Sequence, residues 1–190
     1  MTKFTNYDEI SSFVQTLPQA NDVIASAAQA HQNNLTKPPG SLGRLEELAI
    51  FLASWQGTKT PKIDKAQAII FAGNHGVCAQ GVNPFPQEVT QLMVANFDAG
   101  GAAMNQLCGV SGADLKVVPL SLETPTADFT AGQALSDEAV FEAMAIGANS
   151  IDSSADIILL GEMGIGNSTI SSALAASVFG GETKDWVGAG

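Results

Sequence analysis

Apolar side chains recur along this chain with two different periods, and the switches between them mark out its elements. Over residues 8–16 and 21–34 the apolar positions (Ile10, Phe13, Val14; Val23, Ile24, Ala27) fall at helical intervals, with Pro18 between the two segments. Lys37-Pro38-Pro39-Gly40-Ser41 stops any helix, because each proline biases its predecessor away from the α region. Ser41 is placed to cap the next helix, in which Leu42, Leu45, Leu48, Ala49, Leu52 and Trp55 repeat every three or four residues up to Gly57. The pattern then changes. Residues 68–72 are a continuous apolar run, the signature of a strand covered on both faces of a parallel sheet. Pro86 suits the first position of a following helix whose buried face is Val89, Leu92, Met93 and Phe97, and a further short helix is expected over 102–107. A second strand is predicted over 116–120, with Pro119 pointing to an edge or a bulge. Ser136 caps a helix with an acidic first turn that runs to about residue 149, and a third strand follows over 156–160. Residues 185–188 read as a fourth strand that enters the glycine turn Gly188-Ala189-Gly190.

This alternation predicts an α/β fold: a doubly wound, mainly parallel sheet with flanking helices and a small N-terminal helical layer. Residues 1–57 are expected to form the helical segment of a small domain, and residues 58–190 an α/β core of Rossmann-like design, incomplete at its C-terminus. A terminal strand without its covering helix leaves apolar surface exposed, so a truncated chain with a missing C-terminal half is the expectation.

Composition removes several functions. With 190 residues, 45% of them hydrophobic and 14% charged, the chain can bury a full core. Its formal charge of −11, with only eight Lys and Arg, argues against nucleic-acid or anionic-membrane binding. Anionic ligands must then be held by backbone amides. Two cysteines, Cys78 and Cys108, have no C-x-x-C spacing, which disfavours zinc ribbons and thioredoxin-type chemistry and suits a reducing, cytoplasmic setting. The N-terminus lacks an apolar signal core, and no run reaches the roughly eighteen apolar residues of a membrane span.

The densest chemistry lies at 159–169, where an apolar run feeds the turn Gly161-Glu162-Met163-Gly164-Ile165-Gly166-Asn167-Ser168-Thr169 and then a helix. Glycines let backbone N–H groups converge on an anion, and the unpaired amides of a helix start favour negative charge there. Asn167 stands where a P-loop has the lysine that reaches the β- and γ-phosphates, and Thr169 where a dinucleotide fingerprint has its third glycine. A single phosphate, as in a mononucleotide, fits this loop best, with Gly164, Ile165, Gly166, Asn167 and Ser168 as the cradle. An ordinary strand-to-helix connection is the alternative. Glu162 favours a site, since a carboxylate at the end of a buried strand does little for packing. Filling the backbone approach with Gly166→Val is expected to abolish phosphate binding.

Several motifs occur in order: Lys37-Pro38-Pro39-Gly40-Ser41-Leu42-Gly43-Arg44-Leu45-Glu46, Asn74-His75-Gly76-Val77, Pro86-Gln87-Glu88-Val89-Thr90, Gly100-Gly101-Ala102-Ala103 and the 161–169 loop. Together they resemble the nicotinate-nucleotide:dimethylbenzimidazole phosphoribosyltransferases over essentially the whole chain. The resemblance implies an enzyme, a pentosyltransferase of cobalamin lower-ligand synthesis. It moves phosphoribose from nicotinate mononucleotide to 5,6-dimethylbenzimidazole or a related base, giving α-ribazole 5′-phosphate and nicotinate. It further implies a homodimer, no cofactor and no metal.

In that scheme Glu162 lies beside the ribose and stabilises its cationic, oxocarbenium-like transition state. The leaving base departs neutral and needs no general acid, whereas the acceptor must lose an imidazole proton to a positioned base. In the family this base is a glutamate of the C-terminal half, and no segment of this chain matches it. The acceptor pocket is expected at Phe85, Pro86, Gln87 and Glu88 with Met93, whose apolar members suit a flat aromatic base, although ordinary core packing explains Phe85 and Met93 as well. Some relatives carry polar side chains at those two positions. His75 is read as a structural imidazole bonded to loop backbone rather than as a proton-transfer group. A non-catalytic mononucleotide-binding module, or a remnant subunit completed by another polypeptide, is the competing function.

Overall fold

The computed structural model describes residues 1–188, and Ala189 and Gly190, the end of the expected glycine turn, lie outside them. Its centre is β1 (Ala66–Ala72), flanked by β2 (Asp114–Pro119) on one side and β3 (Ile157–Met163) on the other. Both pairings are parallel, with Gln67 opposite Asp114 and Ala66 opposite Ile157. The apolar run chose the middle of the sheet because only there are both faces covered: Ala68, Ile69 and Ala72 are fully buried. Pro119 ends β2 at the outer edge, where its missing N–H costs nothing.

One buried polar side chain ties the layers together. Gln67 in β1 donates to the Ser150 carbonyl (3.0 Å) and accepts from the Asp152 N–H (2.8 Å), so its amide is satisfied at both ends by the turn that leads into β3.

Helices α1 (Tyr7–Gln15), α2 (Asp22–Asn33) and α3 (Arg44–Gln56) precede the sheet. Asn6 and Asn21 cap the first two with their side chains. α2 and α3 pack against each other, and Asn21 N–H reaches the Ser54 carbonyl at 3.0 Å. α1 instead meets α6 (Asp137–Ser150): Tyr7 packs edge-on against Phe141 at 5.0 Å and its hydroxyl donates to Asp137 at 2.9 Å. α4 (Val89–Asp98) and α5 (Ala103–Ser111) connect β1 to β2, α6 connects β2 to β3, and α7 (Asn167–Phe179) follows β3. No helix among the described residues is long and apolar enough to cross a membrane.

Three local expectations are corrected. Ser41 does not cap α3; it lies in a turn, and the helix opens at Arg44 with Gly43 in the cap position. Lys37 Nζ and the Leu42 N–H both converge on Glu46 Oε1 (2.5 and 3.1 Å), and this carboxylate organises the Lys37–Glu46 segment. Pro86 is not the first helical residue either. Two tight turns, Val89 N–H to Pro86 O and Thr90 N–H to Gln87 O (both 3.1 Å), precede α4, which leaves Glu88 as its cap residue.

The third correction is the expected fourth strand over 185–188, which is not formed. Thr183–Asp185 is a 3-10 turn, held by the Asp185 carboxylate accepting from Glu182 N–H at 3.1 Å. Trp186 then folds back, its ring stacked on Phe179 (5.7 Å) and its Nε1 donating to the Gly180 carbonyl at 2.8 Å.

Candidate active site

With strand order β2-β1-β3, the chain leaves β1 toward one side of the sheet and reaches β3 on the other. The crevice between the C-terminal ends of β1 and β3 is therefore the topological switch point, where open α/β sheets take their ligands. Two loops meet there, residues 73–81 after β1 and residues 164–166 after β3. Gly73 N–H donates to the Met163 carbonyl at 3.0 Å, continuing the sheet into the crevice.

The loop after β3 leads into α7 through Gly166, which has φ +87°, a conformation that favours glycine. The expectation of free amides from Gly164 to Ser168 is corrected in part. Ile165 N–H donates to Thr90 Oγ1 (3.1 Å), Asn167 N–H to the Gly164 carbonyl (3.1 Å) and Ser168 N–H to Asn167 Oδ1 (2.8 Å). Gly164 and Gly166 are both buried, and among the described residues neither N–H has an acceptor. Buried amides seldom stay unpaired, so these two donors are the groups with most to gain from an anion. Asn167 also bridges toward the carboxylate: its Nδ2 donates to Glu162 Oε1 at 2.6 Å, which fixes the exposed Glu162 side chain next to the helix start.

The loop after β1 is pinned from several sides. His75 pairs through its backbone with Thr126, and its carbonyl accepts from Gln87 Nε2 at 2.8 Å. Among the described residues the expected bond from the imidazole to loop backbone is not made; it is the His75 main chain that is tied down. The ring instead lies against the other loop, its Nε2 3.0 Å from where a Cβ on Gly164 would stand. Burial holds this imidazole below the usual histidine range, while the Glu162 carboxylate pulls in the opposite direction. Asn74 is buried, its amide donating to the Leu122 carbonyl at 2.9 Å. Cys78 donates its thiol to the Ile165 carbonyl at 3.1 Å, and burial raises its pKa, so at neutral pH it keeps the proton that this bond needs.

Gly76 shows why this loop tolerates no side chain. A Cβ there would sit 2.3 Å from the Thr126 carbonyl oxygen and 2.7 Å from Ala127 C and Asp128 N, all of them backbone atoms. Gly76→Ala is expected to push the 126–128 segment off the loop at a cost of about 1–3 kcal/mol, the usual range for overpacking. A thermal melt reads this directly, and an unchanged midpoint would show that the two segments separate freely.

Of the expected acceptor residues, Gln87 is the one bonded into the crevice, through His75. Phe85 is 60% exposed, its carbonyl accepting from Asn83 Nδ2 at 2.6 Å, while Pro86 and Glu88 lie on the surface and Met93 is half-buried in α4. These five residues lie at or near the surface rather than in an enclosed pocket. No site role for Thr90 or Cys78 is legible in the sequence, because what distinguishes them there is a contact with Ile165. The hint available was Thr90 itself, a polar residue on the buried face of an apolar helix.

Gly166→Val is also a poorer probe than expected. The added Cβ would lie 2.8 Å from Cys78 Sγ, so the variant distorts the loop whether or not a phosphate binds.

A family model described as phosphoribosyltransferase matches residues 17–190. A protein of Rhodobacter capsulatus named nicotinate-nucleotide--dimethylbenzimidazole phosphoribosyltransferase is 57% identical over all 190 residues, and the match covers 57% of that protein. The protein of the same name from Roseobacter denitrificans is 51% identical over 187 residues, 56% of its length. Among solved structures, the crystal structure of CobT from Thermus thermophilus superposes with a TM-score of 0.78 at 35% identity, covering 88% of this chain and 56% of that one. The chain thus spans a little over half the length of the relatives it matches.

Proposed function

Because the chain belongs to the nicotinate-nucleotide:dimethylbenzimidazole phosphoribosyltransferase family, we propose that it contributes the donor side of an active site that moves phosphoribose from nicotinate mononucleotide to 5,6-dimethylbenzimidazole. In this reaction the bond from the ribose C1′ to the pyridinium nitrogen breaks, and its electron pair neutralises the departing nicotinate ring. The acceptor nitrogen forms the new bond to C1′, and its ring N–H proton passes to a base. Glu162 faces the ribose cation as it develops, held in place by Asn167 Nδ2. Gly164 to Ser168 receive the 5′-phosphate, and the segment from Phe85 to Glu88 with Met93 borders the acceptor. No metal or cofactor enters the scheme. The proposal extends to a cytoplasmic homodimer, supported by the free thiols Cys78 and Cys108 and by apolar side chains such as Leu92, Leu107 and Val110 that α4 and α5 leave exposed.

The observation that carries this reading is the meeting, at the switch point, of two unpaired glycine amides, a helix N-terminus and an anchored carboxylate. It is tested by titrating the chain with nicotinate mononucleotide in a calorimeter beside the variant Ser168→Glu. Ser168 is exposed at the helix start, so the new carboxylate fits without repacking and repels a bound phosphate. The expected result is a loss of about tenfold or more in affinity, equal to about 1.4 kcal/mol. Equal affinity in the two proteins, or no binding by either, overturns the assignment of the cradle.

A further inference from the structure

Ile165 sits at the centre of the glycine loop, and both of its backbone polar groups are taken by side chains from elsewhere in the sequence. Its N–H goes to Thr90 Oγ1 on α4 and its carbonyl to Cys78 Sγ on the loop after β1, each at 3.1 Å. Thr90 is completely buried, where a hydroxyl is costly unless it is bonded. The space around the loop is shaped to match: a Cβ on Gly166 would meet Cys78 Sγ at 2.8 Å, and one on Gly164 would meet the Gly73 carbonyl at 2.3 Å.

The peptide between Ile165 and Gly166 is trans, so its carbonyl and its N–H point in opposite directions. By drawing the Ile165 carbonyl toward itself, the Cys78 thiol turns the Gly166 N–H away from the β1 loop. Thr90 does the corresponding work one peptide earlier, fixing the plane that carries the Ile165 N–H and the Gly164 carbonyl. That carbonyl in turn accepts the Asn167 N–H and sets the first turn of α7.

We propose that Thr90 and Cys78 are positioning residues for the donor phosphate: they hold the two peptide planes around Ile165, so that the Gly166 N–H faces the ligand and the Gly164 carbonyl sets the first turn of α7, and they tie this loop to the segment 85–90. The inference rests on the phosphate reading of residues 164–168. It also couples the two halves of the reaction, because Gln87 and Thr90 belong to one short stretch and grip, respectively, the loop after β1 and the loop after β3.

The test compares nicotinate mononucleotide with nicotinate riboside, which lacks only the phosphate. The ratio of their dissociation constants reports the phosphate alone and is insensitive to a general loss of folded protein. Thr90→Val, which keeps the shape and removes the acceptor, and Cys78→Ala are each expected to lower that ratio by about tenfold while riboside binding stays as it was. Thr90→Ser, which restores the oxygen, returns the ratio toward its original value. An independent readout without ligand is the amide proton of Ile165 in nitrogen-15 spectra, which is expected to move upfield in Thr90→Val and to stay in place in Thr90→Ser.

If the unaltered chain prefers the mononucleotide and all three variants keep that preference, the positioning role is overturned while the cradle stands. A ratio of one in the unaltered chain, or no binding, overturns the cradle and this inference with it. Should Thr90→Val fail to fold, Cys78→Ala and the Ile165 amide in Thr90→Ser decide the matter, with an unchanged ratio in the former counting against the proposal.

Discussion

Incubated with nicotinate mononucleotide and 5,6-dimethylbenzimidazole, the 190-residue chain is expected to form only a trace of α-ribazole 5′-phosphate, slower than a full-length relative by at least about a hundredfold. The acceptor nitrogen has to lose a proton as it attacks, and a positioned base typically contributes on the order of a hundred- to ten-thousandfold. In the proposed scheme that base is a glutamate to which no described residue corresponds. The crevice between β1 and β3 supplies His75, whose pKa is lowered by burial, and Glu162, which is bonded to Asn167 and which the proposal assigns to the ribose. In the segment proposed to border the acceptor the carboxylate is Glu88, exposed at the start of α4. Chromatography of the reaction mixture measures the product. Turnover comparable to that of a full-length relative would overturn the expectation, and its disappearance in Glu88→Gln would then identify Glu88 as the base.

The second large effect concerns the sheet on which the site stands. Ile69→Ala is expected to destabilise the fold by about 2–5 kcal/mol, the range for truncating a large side chain at a fully buried position. That is a substantial part of the roughly 5–15 kcal/mol by which domains are stable. Ile69 lies in the middle of the central strand and is among the largest side chains with no exposure, so little can collapse into the space it leaves. Urea unfolding followed by circular dichroism reads the change. A loss below about 1 kcal/mol would mean that the region around β1 relaxes into the cavity, contrary to its close packing.

Much of this architecture could be read from the chain alone because its strands are apolar runs and its helices carry their own punctuation. Residues 68–72 needed only their hydrophobicity to be placed at the centre of a parallel sheet, and Ser136, Asn21 and Gly57 mark helix ends by local chemistry. The errors share a different origin. Ser41 and Pro86 are good helix starters by residue type, but Glu46 and the two turns after Pro86 use the same backbone differently. Residues 185–188 carry an apolar pair that suits a strand, yet Asp185 and Trp186 bond back onto residues 180–182. In the site, the glycine pattern announced a special loop without revealing its neighbours. Gly164 and Gly166 are also required by the close approach of Gly73 and Cys78, and the grip of Thr90 and Cys78 on Ile165 spans 75 and 87 residues. Such contacts leave no periodic trace.

The pairing of β1 with strands that both come much later fixes the order in which this chain can mature. Gln67 waits for Asp114 and Ala66 for Ile157, so the sheet closes only through long loops, which places the chain among slow folders. At synthesis rates of about 5–20 residues per second, β1 leaves the ribosome on the order of ten seconds before its last partner is made. During that interval Ile69, Ile70 and Phe71 form an uncovered apolar segment of high strand propensity, with Gln67 as its only hydrophilic side chain. The same feature that gives the finished molecule its best-shielded strand gives the nascent one an association-prone stretch. Soluble yield should therefore respond to slower growth and to chaperone supply more than to any change at the surface of the folded protein.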